Sequence, residues 1–250
     1  IPNSINALAL LASGKKEYRP ILSEYARMVA DYRVDGFATW HYGYAIMFLA
    51  EYVMATGDDS VMPGLQRLAL ESAHGQSIVG TWGHKFALPD GRVGGYGCMN
   101  SPGIPLAISL VLAREAGVKD PEVDLAIARA AGFLRWYVHK GAIPYGDHRP
   151  WPGHEDNGKC SMAAVLFDLL GDKEATAYFS RETLASYNVR EGGHTGHFFS
   201  SQWGTLGAAR AGERGSDEEK EHEMRYRGAV AMSHERSGSE GVSCVGARLV

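Results

Sequence analysis

Residues 43–84 read GYAIMFLAEYVMATGDDSVMPGLQRLALESAHGQSIVGTWGH, and this stretch decides the fold. Residues 44–55 are apolar on almost every side, which predicts a helix covered all round. Gly57 follows at a place where a helix must end in a left-handed residue, and Asp59 or Ser60 then offers a cap for the next start. From Val61 the apolar positions 61, 65, 68 and 69, with Ser72, recur at helical spacing and predict an amphipathic helix with one buried face. The stretch closes on a polar-aromatic loop, Gly80-Thr81-Trp82-Gly83-His84.

The same order returns twice. It runs from Gly103 through Ala116-Gly117-Val118-Lys119-Asp120 to Tyr145-Gly146-Asp147-His148, and from Asn157 through Leu170-Gly171-Asp172-Lys173 to Gly193-His194-Thr195-Gly196-His197. Residues 104–113 and 161–170 repeat the all-apolar helix, and Val123, Ala126, Ile127, Ala130, Phe133 and Leu134 repeat the amphipathic one. Ile21, Leu22, Tyr25, Ala26, Met28, Val29 and Tyr32 form another amphipathic helix upstream, while Gly14 and Gly212 mark flanking repeats. Repetition at this length governs the whole architecture. Strand signals are few. The expectation is an all-α chain, an α/α toroid of about five helix pairs forming a complete or incomplete ring, with long loops at one end. An α-solenoid shares the order, but long loops on one side favour a toroid that gathers them round a cavity. The toroid domain covers 1–212. Residues 213–250, a charge run at 217–227 and a Ser/Gly-rich stretch at 233–246, read as a charged helix and a partly disordered tail.

Composition narrows the function classes. A net charge of −4 without a Lys/Arg stripe gives no reason to expect nucleic acid. The longest apolar runs, 7–12 and 45–50, fall far short of the ~18–20 residues of a membrane span. Three cysteines, Cys98, Cys160 and Cys244, cannot build a disulfide framework. The chain starts Ile1-Pro2-Asn3 without Met, which reads as a processed or excerpted piece with neighbouring domains, so export stays open.

Gln76-Ser77-Ile78-Val79-Gly80-Thr81-Trp82 has the form Q-x3-G-x-W. It resembles the repeat motif of terpenoid cyclases and related α/α-toroid proteins, the superfamily that includes protein prenyltransferases. With His84, Asp90-Gly91, Gly95-Tyr96-Gly97 and Asn157-Gly158-Lys159, the chain looks like a bacterial branch of such toroids. The resemblance implies that Gln76 and Trp82 tie neighbouring repeats together. It implies fold more than chemistry, since one fold hosts many reactions. The sequence lacks the D-x-D-D acid of squalene-hopene cyclases and an Asp, Cys and His set in prenyltransferase order.

The loop end carries the candidate site. Trp40-His41-Tyr42, Trp82-Gly83-His84, Tyr145-Gly146-Asp147-His148 and His194-Thr195-Gly196-His197 recur there. Histidine exchanges protons near neutrality, and aromatic faces stack on sugar rings or isoprenoids. His148 and His194 are the acid–base candidates and Asp147 and Glu191 their supports. Trp82, Tyr145 and Trp151 are the platforms, with Trp40, His41, His84, Asn157, Lys159 and His197 completing the ligand-binding set. The competing reading is that these aromatics fill gaps between repeats while the histidines cap helices. His194 and His197, with His148, Asp147 and Cys160, fall short of a convincing zinc site because glycines flank the H-x-x-H. No metal is assigned, and no cofactor is identified. Gly153 to Cys160 imitates a phosphate loop, but Cys160 replaces the Ser/Thr and no strand precedes it.

The leading functional expectation is an enzyme, hydrolase or lyase, that binds a small molecule or oligosaccharide in its central cavity. One alternative is a non-catalytic glycan- or peptide-binding module. Another is a cyclase or prenyltransferase-like activity on an isoprenoid.

Overall fold

A computed structural model describes residues 2–33, 36, 38–150, 158–189 and 198–211, so the expected tail at 213–250 lies outside it. Among the described residues there are nine α-helices and no β-strand. They are α1 (Pro2–Ala12), α2 (Arg19–Ala30), α3 (Ala38–Thr56), α4 (Met62–His74), α5 (Asn100–Glu115), α6 (Pro121–Arg135), α7 (Lys159–Leu169), α8 (Lys173–Ala185) and α9 (Phe198–Ala208). The all-α class expected from the helical periodicity is therefore what forms. No described helix is long and apolar enough to cross a membrane.

The chain divides into two compact units, with the boundary after Gly132, inside α6. In unit 1, α3 is the central element and packs against α1, α2, α4 and α5. Its residues 42–53 are buried without interruption, as its uniformly apolar sequence requires. α2 and α4 bury a single stripe each: Leu22, Ala26 and Val29 on the first, Leu65, Leu68, Ala69, Ser72 and Ala73 on the second. In unit 2, α7 is the buried element, packed against α8 and α9. Gly207 brings α9 so close that an added Cβ would lie 2.6 Å from Ser161 Cα on α7. Ser180 Oγ of α8 donates to the carbonyl of the same Gly207.

The Gly-Asp turns act as stops and starts. Gly57, Gly117 and Gly171 all have positive φ. Asp58, Asp120 and Asp172 then accept hydrogen bonds from the backbone N–H of Ser60, Glu122 and Ala175. The cap in the first turn is Asp58 rather than the expected Asp59 or Ser60, because a 3-10 turn, Asp59–Val61, precedes α4.

Two helix starts differ from the sequence reading. Trp40-His41-Tyr42 belongs to α3, not to a loop before it. Gly43 lies inside α3 as a point of close contact with α5, since an added Cβ would sit 3.3 Å from Leu106 N and from the carbonyl carbon of Pro105. α5 likewise begins at Asn100, earlier than the uniformly apolar run, and carries Pro105 inside it. That proline removes one backbone donor, a local cost the close α3–α5 packing offsets.

Candidate functional site

The first turns of α3 display Thr39, Trp40, His41 and Tyr42 in four successive directions, and each meets a different partner. The Thr39 hydroxyl lies 2.6 Å from Gly83 O and 2.9 Å from His84 O, so it can donate to either and holds the Trp82-Gly83-His84 turn over the helix start. Trp40 Nε1 donates to His84 Nδ1 at 2.6 Å. His84 in turn meets the exposed Tyr96 ring edge-on, with centroids 5.8 Å apart. Tyr42 Oη donates to Glu71 Oε2 at 2.6 Å, and Arg67 Nη1 pairs with Glu71 Oε1 at 2.8 Å. The other Arg67 nitrogen donates to the carbonyls of Ala30 and Tyr32, fastening the end of α2 to α4. Burial raises the Tyr42 hydroxyl to about 12, and the Glu71 carboxylate beside it reinforces the rise.

His41 faces differently. With Asn3, Ser4, Tyr25 and Tyr32 it lines a cavity of about 280 Å³ between α1, α2 and α3. Its ring lies 6.3 Å from that of Tyr32, centroid to centroid. Tyr25 Oη and Ser4 Oγ share a hydrogen bond of 3.0 Å, and Phe48 packs beneath the Tyr25 ring. Burial lowers the His41 pKa, because desolvation disfavours the charged imidazolium. Burial raises Tyr25 and Tyr32, and the neighbouring phenol adds to the effect on Tyr32. The cavity therefore has a neutral imidazole and two protonated phenols on its wall at neutral pH.

Trp82 is fully buried; its Nε1 donates to Ser72 O at 2.8 Å, so the ring packs the interior and offers no face to a ligand. Gln76 Nε2 donates to Gly80 O and, across to α6, to Ala126 O at 2.8 Å. In unit 2, Asp147 and His148 are exposed and Tyr145 half-buried on the loop after α6. Tyr137 Oη holds that loop by donating to His148 O at 2.9 Å. Lys159, at the start of α7, is 1% exposed, so it belongs to the interior rather than a solvent-facing ligand wall. Cys160 Sγ accepts from Ile143 N. Trp151, Asn157, Glu191, His194 and His197 lie outside the described residues. Among the described residues no three His, Cys, Asp or Glu side chains gather where a metal could bind.

The structure thus brings Trp40 and His84 into direct contact in unit 1 and puts His41 beside them on α3, facing a separate cavity. Sequence reasoning missed Tyr25 and Tyr32, which it counted only as part of the buried stripe of α2. Their helical spacing gave the face they occupy; nothing local told that a cavity lies in front of it. Glu51 was missed too: it is a carboxylate on the otherwise apolar α3, only 3% exposed.

Residues 1–245 match the family described as Domain of unknown function (DUF6288), and the chain belongs to that family. No curated protein and no solved structure matches it.

Proposed function

We propose that this DUF6288 chain is an acid–base enzyme acting on a carbohydrate, with one sugar residue held in the Tyr25–Tyr32–His41 cavity of unit 1. The observation that carries the reading is the pairing, on one cavity wall, of a base held neutral and acids that keep their protons. Environments that push two titratable groups apart in this way suit them to opposite roles. His41 accepts a proton, and Tyr32 or Tyr25 supplies one. The cavity wall joins polar groups in Asn3 and Ser4 to the rings of Tyr25 and Tyr32 and the apolar Met28, Val29 and Ala45, a mixture that suits one sugar residue with polar and apolar faces.

The same wall favours elimination over hydrolysis. Glycoside hydrolysis ordinarily needs two carboxyl groups flanking the bond, and among the described residues none lines this cavity. In an elimination, His41 takes a proton from the carbon next to a uronate carboxyl, the C–H electrons form a C=C bond, and the glycosidic C–O bond breaks. A tyrosine then protonates the departing oxygen. The α/α-toroid plan of the terpenoid cyclase superfamily is proposed for the fold; Gln76 and Trp82 support it through their bonds to α6 and α4.

The test is a panel of uronate-containing polysaccharides followed by ultraviolet absorbance of the unsaturated product. His41→Ala and Tyr32→Phe are expected to abolish turnover while leaving the fold intact. Glycan binding without product would leave a binding module instead. Loss of turnover in His148→Ala but not in His41→Ala would move the chemistry to the unit 2 loop, where Asp147 stands beside His148. An inert protein that binds no glycan would sink the proposal.

A further inference from the structure

A second cavity, of about 230 Å³, lies at the other end of α3, against the start of α2. Leu10, Leu11 and Leu22 supply its apolar wall, and Lys15 and Arg19 stand at its rim. Leu22 is buried and the two α1 leucines are half-buried, so the wall is apolar surface open to a guest.

The hydroxyl groups of this wall already have partners. Tyr52 Oη donates to Asp58 Oδ2 at 2.8 Å, Thr56 Oγ1 donates to Tyr52 O at 2.6 Å, and Ser23 Oγ accepts from Arg27 Nη2 at 2.9 Å. Lys15 and Arg19 are different: among the described residues no carboxylate pairs with either. They flank the 3-10 turn Lys16–Tyr18 that leads into α2, where the helix N-terminus adds partial positive charge. A guest that satisfies this cavity has an apolar body and one anionic end. A sugar would find the wall hydroxyls occupied, and a bare phosphate would gain nothing from the leucines.

We propose that this cavity binds a free aliphatic carboxylate, with its chain against Leu10, Leu11 and Leu22 and its carboxylate on Lys15 and Arg19. The site is independent of the acid–base cavity, which lies at the opposite end of α3. It also falls at the Gly-Asp end, which the sequence assigns only to helix stops and starts.

Octanoate is the probe, titrated into the full chain by calorimetry and followed by NMR. It is expected to bind about tenfold more tightly than octan-1-ol, the ratio a charge-assisted contact supplies. The double variant Lys15→Ala/Arg19→Ala, at exposed positions, is expected to bring octanoate down to the level of the alcohol. Ala55→Trp, on the exposed rim, is expected to block both ligands. Sedimentation with phosphatidylglycerol vesicles separates a free acid from a membrane surface, and no co-sedimentation is expected. Equal binding of octanoate and octanol to the native protein would overturn the proposal. So would octanoate binding unchanged by the double variant, absence of binding up to about 10 mM octanoate, or vesicle binding that the double variant abolishes.

Discussion

Trp40 Nε1 donates a 2.6 Å hydrogen bond to His84 Nδ1, joining α3 to a loop 44 residues further along the chain. An indole N–H can only donate, so His84 Nδ1 must be unprotonated and the neutral ring carries its proton on Nε2. Nitrogen NMR of the histidines is expected to show that tautomer for His84. Trp40→Phe should release it to a mixture and cost about 1 kcal/mol in urea denaturation. A mixed tautomer in the native protein would contradict the contact.

Tyr42 and Glu71 make stability depend on pH at both extremes. The folded pKa of Tyr42 is raised from 10.0 to about 12. Its contribution is therefore fully present below about pH 10, where the unfolded phenol still holds its proton, and is lost as pH rises through about 12. Denaturation midpoints should fall across that window, by about 1–2 kcal/mol in stability, and Tyr42→Phe should flatten the fall.

Glu71 works in the opposite sense. Burial alone would raise its pKa, but the Tyr42 hydroxyl and the Arg67 guanidinium outweigh it and hold the carboxyl below its ordinary 4.5. Its contribution is present above the unfolded value and lost as pH falls through the lowered folded one. Glu71→Gln should blunt acid sensitivity between pH 5 and lower values in the same denaturation series.

Gln76 satisfies two backbone carbonyls at once, Gly80 O in its own loop and Ala126 O on α6. Gln76→Ala should cost about 1–3 kcal/mol because buried acceptors lose their donors. Trp82→Ala, which empties a fully buried indole site, should cost about 3–5 kcal/mol. Chemical denaturation measures both, and a change under about 0.5 kcal/mol for Gln76→Ala would show that the tie to α6 is dispensable.

Gly207 lies against Ser161 Cα with no room for a methyl group. Gly207→Ala should destabilise unit 2 by about 1–3 kcal/mol through overpacking, despite alanine's better helix propensity. A stabilised variant in thermal denaturation would mean that α9 does not approach α7 so closely.

Legibility in the sequence followed the range of the cause. The stops at Gly57, Gly117 and Gly171 could be read because a left-handed C′ residue is a local demand, and their positive φ values answer it. The uniformly apolar α3 and the striped α2 and α4 were legible for the same reason, since burial on all sides or on one side writes its period directly into the residues. The start of α3 was not legible: Trp40-His41-Tyr42 read as a loop, and the fit of Gly43 against Pro105 and Leu106 belongs to packing that local sequence does not announce. Of the candidate aromatics, Trp82 was readable both as a ligand platform and as a gap-filling tie, and its full burial decides for the tie. Tyr25 and Tyr32 were readable as members of a stripe but not as the wall of a cavity.

The all-helical class and the turn chemistry of the described residues are thus settled by neighbours within a few residues, through hydrogen bonding and hydrophobic period. The site depends on encounters that local sequence does not encode. The His41 pKa is lowered because packing among α1, α2 and α3 removes water from its ring. Trp40 fixes the His84 tautomer only because the loop before α5 folds back onto the start of α3. Desolvation and hydrogen-bond partnership are properties of the packed chain, and they are what distinguish these side chains from identical ones on the surface.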